Sequence, residues 1–119
     1  MKRLQDKLRR RIRRKIGIRK RITGTPDRPR VTVYRSNRYT YLQVIDDTKG
    51  VTLTAVSNKE KDFTGIKNNL SQIGKLGEVL GERLKKKRVK SVVFDRNGYL
   101  FHGMVKAVAE GIRQSGIQF

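Results

Sequence analysis

Alternating apolar and polar residues mark three segments in the first half of the chain. Residues 30–36 and 39–45 are rich in Val, Tyr and Thr, and residues 51–57 alternate Val, Leu and Ala with Thr. A period of two is typical of strands with one buried face. The polar segments between them, residues 37–38 and 46–50, carry turn-forming residues that include a glycine. The pattern predicts an antiparallel meander of three strands.

From Leu70 onward the apolar residues follow a helical period. One face of the predicted helix is formed by Ile73, Leu76, Leu80 and Leu84. The same helix contains three glycines, each of which costs about 1 kcal/mol relative to alanine. We expect a close approach of the helix backbone to the sheet to compensate for them. The three glycines are Gly74, Gly77 and Gly81.

A fourth strand and a second helix complete the predicted domain. The apolar run at residues 92–94 predicts a short strand buried on both faces. Residues 103–115 predict the last helix, with Gly116 as its C-terminal cap. The fold class is therefore α/β, a β-β-β-α-β-α two-layer sandwich with a basic N-terminal extension that is helical or disordered when free. The apolar face of the last helix consists of Val105, Val108, Ala109 and Ile112.

The chain divides into a basic arm, residues 1–23, and a single α/β domain, residues 24–119. Residues 1–22 hold twelve basic residues and one acidic residue, a formal charge of +11, and the other 97 residues carry +9. Repulsion between neighbouring charges disfavours structure in an isolated segment of this kind. We expect the arm to become at least partly helical on a polyanion. Its apolar stripe, at intervals of four residues, is Leu4, Leu8, Ile12 and Ile16.

The amino-acid composition limits the classes of function that this chain can have. A formal net charge of +20 in 119 residues indicates a polyanionic partner, either nucleic acid or an anionic membrane surface. The absence of cysteine excludes a disulfide framework, a thiolate zinc site and a cysteine nucleophile. No apolar run approaches the roughly 20 residues that span a membrane, and the basic start is not followed by the apolar stretch of a secretory signal. We expect a protein of the cytoplasm or of an organelle matrix.

Nucleic acid is favoured over a membrane as the partner of the arm. The arm has no Trp, Phe or Tyr, the bulky anchors on which membrane-surface helices depend. A solvated tail or a localisation signal is the alternative reading of such a charge run. The arm residues predicted to contact RNA are Arg3, Lys7, Arg10, Arg11, Arg13, Arg14, Lys15, Arg19, Lys20 and Arg21.

Arginines and tyrosines cluster around the first predicted hairpin. Arginine beside exposed aromatic rings suits stacking on unpaired bases and bidentate contact with phosphate. The alternative is that the tyrosines, Tyr34, Tyr39 and Tyr41, pack under the helices, since the strand register cannot be read from the sequence. The residues of this region predicted to contact RNA are Arg28, Arg30, Arg35, Ser36, Asn37, Arg38 and Tyr39.

A third candidate region lies between the fourth strand and the last helix. Loops at the carboxyl ends of strands are where open α/β sheets place ligands, and the helix start near Gly103 could accept a phosphate. The alternative is a simple turn, with Asn97-Gly98 at the bend and Asp95 paired with an arginine. The residues predicted to contact RNA here are Arg96, Asn97, Tyr99, His102 and Lys106.

Catalysis is the competing function class. A metal-dependent nuclease needs clustered carboxylates, and Asp46, Asp47 and Asp95 lie at predicted strand ends. Asp46-Asp47 is more simply a turn, and His102, the only histidine, has no evident catalytic partner. No Gly-rich phosphate loop, nucleophile elbow or metal-spaced histidine pair is present. We expect no enzymatic activity, no metal, no cofactor and no small-molecule substrate; an RNA chaperone without a defined target is a third reading.

Several separated motifs resemble a known family. In chain order they are residues 24–30 (Gly-Thr-Pro-Asp-Arg-Pro-Arg), 34–37 (Tyr-Arg-Ser-Asn), 43–47 (Gln-Val-Ile-Asp-Asp), 92–99 (Val-Val-Phe-Asp-Arg-Asn-Gly-Tyr), 102–103 (His-Gly), 105–107 (Val-Lys-Ala) and 116–119 (Gly-Ile-Gln-Phe). Over the full chain, from the basic arm to the last residues, the sequence resembles the bacterial-type ribosomal protein eighteen of the large subunit, the universal uL18 family.

The resemblance implies a specific role. Members of the family bind 5S ribosomal RNA and help attach it to 23S ribosomal RNA in the central protuberance, beside other 5S-binding ribosomal proteins. The family is not enzymatic and works bound to the ribosome, in the cytoplasm or in an organelle matrix. By motif match, its RNA-contacting regions fall here on the arm, on Arg28 and Arg30, on residues 35–38 and on residues 95–102.

Two positions depart from the family pattern. Asn97 stands where the family usually has glycine, and because asparagine tolerates left-handed backbone angles, we expect the turn to survive. Met104 stands where the family often has arginine, so any phosphate contact made by that arginine is absent here or is made by Lys106 instead.

Overall fold

The structure is a computed structural model that describes residues 2–99 and 102–119, with side chains from residue 4 onward. The helix and strand order is the predicted one, preceded by a helix in the basic arm. The elements are α1 (Lys2–Arg21), β1 (Arg30–Arg35), β2 (Thr40–Asp46), β3 (Val51–Ser57), a short 3-10 helix (Lys61–Phe63), α2 (Gly74–Lys86), β4 (Val93–Asp95) and α3 (Met104–Gln114).

The four strands form one mixed sheet in the order β3-β2-β1-β4. Neighbours β1 and β2, and β2 and β3, are antiparallel, while β4 is parallel to β1. Alternate side chains of β1 and β2 are fully buried on one face, against which α2 and α3 pack. We call the other face, away from these two helices, the open face. The buried strand residues are Val31, Val33, Leu42 and Val44.

The predicted apolar faces of α2 and α3 are confirmed. All four apolar residues of the α2 face have no exposed surface, and the four of α3 are at most 1% exposed. Burial of a Leu, Ile or Val side chain contributes about 1.5–3 kcal/mol relative to exposure. The helices and the core face of the sheet therefore form the two-layer α/β sandwich expected from the sequence.

The glycines of α2 face α3. The expectation that they allow a close approach of the helix backbone to the sheet is therefore wrong. A Cβ on Gly77 would meet the carbonyl oxygen of Val108, and a Cβ on Gly111 would meet that of Gly74. Small residues on both helices allow the two backbones to pack at a distance that side chains would prevent. The sequence showed that close packing was needed but not which element supplied the partner.

Strand β4 also differs from its prediction. It lies at the edge of the sheet, beside β1, and Val93 and Phe94 are half-buried rather than covered on both faces. The ring of Phe94 stacks on that of Phe119, with centroids 5.6 Å apart. An apolar run of three residues does not distinguish an edge strand with one aromatic cover from a central strand.

The basic arm is helical from Lys2 to Arg21. Helix α1 contacts the domain at the turn that follows β4. The boundary between arm and domain at residue 23 stays a prediction. In the part of the chain that the structure describes, every helix is too short or too polar to cross a bilayer.

Candidate nucleic-acid interface

A buried ion-pair network fixes the start of the domain beneath α1. The guanidinium of Arg30 donates from Nε and Nη2 to the carboxylate of Asp47, at 2.9 and 3.0 Å, and from Nη1 to Asp95 at 2.8 Å. Asp47 also accepts a hydrogen bond of 2.7 Å from the backbone N–H of Gly24. The network thus ties β1 to the ends of β2 and β4 and to the segment that leaves α1.

The charges in this network stabilise one another. Burial alone would lower the pKa of Arg30, but the hydrogen bonds that Arg30 donates to Asp47 and Asp95, with the attraction of their charges, outweigh it and the pKa is raised. The hydrogen bond from Arg30 is the main reason that the pKa of Asp47 is lowered. The side chain of Arg30 is only 5% exposed, and its guanidinium donates to two protein carboxylates. The role that the structure shows for Arg30 is therefore to hold Asp47 and Asp95.

Acid should weaken this network through Asp47. Its pKa is lower in the folded than in the unfolded chain, so its contribution to the free energy of unfolding is present above about pH 4, the unfolded value, and is lost as the pH falls through the folded value. We expect wild type to be more stable than Asp47→Asn at pH 7 and this difference to shrink steadily below pH 4. Thermal unfolding of both proteins between pH 7 and pH 3 measures it; a constant difference would contradict the assignment.

The turn after β4 is held by Asn97. Asn97 and Gly98 have φ angles of 54° and 78°, and the N–H of Tyr99 donates to the carbonyl of Arg96 at 3.0 Å. The side-chain amide of Asn97 donates to the carbonyl of Val33 at 2.9 Å. Asparagine therefore supports the turn, as expected, and its side chain is committed to the fold.

Helix α1 is seated on this turn. Arg14 donates from Nε to the carbonyl of Gly98 at 2.8 Å, and Arg11 donates to the hydroxyl of Tyr99 at 3.2 Å, with its guanidinium 4.6 Å from the ring centroid. A Cβ on Gly98 would meet the carbonyl oxygen of Arg11. Glycine is needed here both for the positive φ and for the close approach of α1.

The hydroxyl of Tyr99 has a structural role. It accepts a hydrogen bond from the backbone N–H of Arg35 at 3.2 Å and lies 3.3 Å from the carbonyl oxygen of the same residue, to which it can donate. With the bond from Arg11, its hydrogen-bonding capacity is satisfied. Of the arm residues predicted to contact RNA, Arg11 and Arg14 therefore help position α1 on the domain, and Arg19 lies 4.0 Å from the carboxylate of Asp47.

A groove separates α1 from the open face of the sheet. Its cavity is about 710 Å³, and we call it the sheet groove. Lys15 and Arg19 of α1 form its basic side, and among the described residues no carboxylate lines it. The open-face and rim residues that line it are Arg30, Thr32, Tyr34, Ser36, Tyr41, Gln43, Ile45 and Asn97.

The tyrosines of the first hairpin lie on the open face. Tyr34 is paired with Tyr41 across β1 and β2, and their ring centroids are 5.9 Å apart. Tyr39 stands edge-on to Tyr41 at 6.4 Å. Tyr34 is 51% exposed. The alternative that Tyr34 and Tyr41 pack under the helices is wrong, and both rings line the sheet groove.

The remaining predicted contact residues differ in accessibility. Half-buried ones include Arg35, which donates to the sulfur of Met104 at 3.6 Å, and Arg96, which donates to the carbonyl of Tyr99 at 3.1 Å. Lys15 and Tyr39 are also half-buried. The side chain of Arg3 lies outside the described residues. Exposed are Lys7, Arg10, Arg13, Arg19, Lys20, Arg21, Arg28, Ser36, Asn37, Arg38, His102 and Lys106.

The carboxylates that a nuclease would need are occupied by structural bonds. Asp46 accepts from the backbone N–H and the hydroxyl of Thr48, which is the predicted turn. Asp47 and Asp95 pair with Arg30. Within residues 2–99 and 102–119, no group of His, Asp or Glu could hold a metal ion.

A basic helix beside an accessible, tyrosine-bearing sheet face, with Asp46, Asp47 and Asp95 tied into the fold, is typical of an α/β protein of the nucleic-acid-binding class. The family model for ribosomal L18 of archaea, bacteria, mitochondria and chloroplast matches residues 5–119. The chain belongs to this ribosomal L18 family, a structural and RNA-binding family, which confirms the resemblance read from the motifs.

Three of the relatives most similar to this chain are each named large ribosomal subunit protein uL18. The protein of Treponema denticola is 54% identical over 118 residues, covering 99% of this chain and 98% of the relative. That of Treponema pallidum is 50% identical over 119 residues, covering 100% and 99%. That of Lysinibacillus sphaericus is 45% identical over 115 residues, covering 97% of each.

Proposed function

We propose that this protein binds 5S ribosomal RNA and helps attach it to 23S ribosomal RNA in the central protuberance of the large subunit. It works there beside other 5S-binding ribosomal proteins, bound to the ribosome in the cytoplasm or in an organelle matrix. Family membership supports the ribosomal role, and the motif resemblance and the accessible basic and aromatic residues support the RNA partners.

The observation that carries the proposal is the composition of the sheet groove. Its α1 side presents Lys15 and Arg19, and its sheet side presents Tyr34 and Tyr41, without a carboxylate among the described lining residues. Cations neutralise phosphates, and aromatic side chains stack on unpaired bases in sequence-specific RNA recognition. The groove can therefore hold an RNA backbone along α1 while a loop base reaches the tyrosines.

The two sides of the interface contribute differently. The exposed cations of α1 supply affinity for any RNA backbone, since counterion release does not depend on sequence. The folded domain supplies selectivity through shape and through the few bases that it touches. Phosphate contacts in the arm position the protein, and the tyrosine-bearing open face of the sheet determines which RNA remains bound.

Competitive binding tests the proposal. The full-length protein is titrated with 5S ribosomal RNA and with a transfer-RNA mixture across a salt series. A preference of about tenfold or more for 5S RNA at about 0.15 M salt, roughly 1.4 kcal/mol, is expected. Equal competition, with binding lost at moderate salt, would contradict the specific role and favour the general RNA chaperone.

A matched pair of variants locates the selectivity. Tyr34→Leu removes an accessible ring from the sheet groove and should reduce the preference for 5S RNA. Phe63→Leu removes a half-buried ring that lies under Arg83, with the guanidinium 5.3 Å from the centroid, and should leave the preference unchanged. An equal preference for 5S RNA in wild type and Tyr34→Leu would show that Tyr34 is not part of the interface.

A further inference from the structure

A second basic surface lies at the C-terminal end of helix α2 and in the segment just beyond it. Lys85, Lys86, Lys87, Arg88 and Lys90 are all exposed. Lys85 lies 3.4 Å from Glu82, but among the described residues no carboxylate lies within 4.0 Å of the other four. A cationic end suits the helix dipole, which accounts for Lys86 in the last turn but not for Arg88 and Lys90 beyond it.

Arg88 occupies a backbone position that favours glycine. The N–H of Val89 donates to the carbonyl of Leu84, and that of Arg88 to the carbonyl of Lys85, both at 3.0 Å. These two bonds form a Schellman motif, in which the residue after the C-cap takes left-handed angles and is usually glycine. Arg88 has a φ of 61°. Glycine would take these backbone angles with less strain than arginine. Stability of the fold therefore does not explain the arginine, and its side chain points to a role outside the fold.

The position of this surface is fixed by the fold. Val89 is buried, and the N–H of Gln118 donates to the carbonyl of Lys90 at 3.0 Å. A shallow cavity of about 550 Å³ is lined by Lys85, residues 88–90 and residues 116–118. This cavity shares no lining residue with the sheet groove. The two basic surfaces are therefore separate.

We propose that residues 86–90 form a second RNA-binding surface, which holds phosphates of an RNA segment other than the one in the sheet groove. One protein molecule then bridges two RNA segments. An acidic protein would fit less well, because protein interfaces depend on buried aromatic or aliphatic anchors, and the apolar residues here, Val89 and Ile117, are at most 9% exposed. A phosphate backbone needs only the charge. The proposal rests on the proposed function in taking RNA as the partner.

A substitution of Arg88 can remove the RNA contact without lowering the stability of the fold. In Arg88→Gly, the thermal midpoint should be unchanged or higher, because glycine removes the backbone strain. The slope of log affinity for 23S ribosomal RNA against log salt should fall by about one, as for a lost phosphate contact. Arg88→Lys keeps the charge and should restore the slope. An unchanged slope in Arg88→Gly would overturn the role of Arg88.

A bridging experiment tests the whole surface. Immobilised 5S ribosomal RNA is saturated with the full-length protein, washed, and exposed to labelled 23S ribosomal RNA. The variant K86Q/K87Q/K90Q should retain 5S binding within about twofold and capture about tenfold less 23S RNA than wild type. The control K61Q/K67Q/K75Q removes the same charge from exposed lysines elsewhere and should capture as much as wild type.

The outcomes separate this inference from the proposed function. Equal capture by the two triple variants would overturn the second surface while leaving 5S preference in place, and an equal loss of 5S binding would make residues 86–90 part of the first site. Failure of wild type to prefer 5S RNA over transfer RNA would instead overturn the proposed function.

Discussion

Replacing Arg30 with methionine is expected to lower the free energy of unfolding by about 3–5 kcal/mol. Methionine fills much of the same volume but leaves two carboxylates without their partner. Asp95 has no exposed surface, so its charge cannot be solvated. The cost of an unpaired buried charge, and not the lost attraction itself, dominates this estimate.

The effect should be visible in both thermal and denaturant unfolding. For a domain of about 100 residues, 1 kcal/mol shifts the midpoint by roughly 4–8 °C, so a loss of well over 10 °C is expected. Arg28→Met is the matched control, because Arg28 is exposed and most surface substitutions change stability by less than about 0.5 kcal/mol. A loss below 1 kcal/mol in Arg30→Met would show that the network contributes little.

A second variant identifies the cause. In R30M/D95N the buried charge is removed together with its partner, and the amide can still accept the hydrogen bond that Asp95 receives from the N–H of Asn97 at 2.8 Å. Part of the lost stability should return, because the two residues are directly coupled. If R30M/D95N were as unstable as the sum of its single variants, the unpaired carboxylate would not be the reason.

The architecture could be predicted because its signals are local. Val51–Ser57 has the predicted bounds, β1 ends one residue earlier than predicted, and β2 is shifted by one residue at both ends. Period-two strands and period-3.6 helices are read directly along the chain. The partner of the α2 glycines was missed because helix-to-helix contact is a tertiary property, and periodicity gives a buried face without naming what covers it.

The site was predicted by residue type but not by individual role. Arg28 and Arg30 look alike in the sequence, yet Arg28 is exposed and Arg30 is tied to a carboxylate 65 positions away. Strand register decides this, and also places Tyr34 beside Tyr41. Arg11 and Arg14 share one face of α1 through their spacing of three, but the sequence could not show that this face meets Tyr99.

Deleting residues 2–22 is expected to lower the affinity for 5S ribosomal RNA on the order of a thousandfold at about 0.15 M salt. The deletion removes a formal charge of +11, and most of these cations are exposed. Each lost phosphate contact lowers the slope of log affinity against log salt by about 0.7 to 0.9. The preference for 5S RNA over transfer RNA, measured at lower salt, should persist, because the tyrosines of the open face remain.

The variant R9Q/R10Q/R13Q distinguishes charge from helix docking. These three arginines are exposed, and the contacts of α1 with Gly98 and Tyr99 do not involve them. For this variant, the slope of log affinity against log salt should therefore fall by the equivalent of about three phosphate contacts. Its preference for 5S RNA should stay at the wild-type value. Selectivity lost on deletion with affinity unchanged would reverse the roles of arm and domain. Circular dichroism of the deleted protein must show the α/β domain folded, since its core lies on the face of the sheet away from the sheet groove.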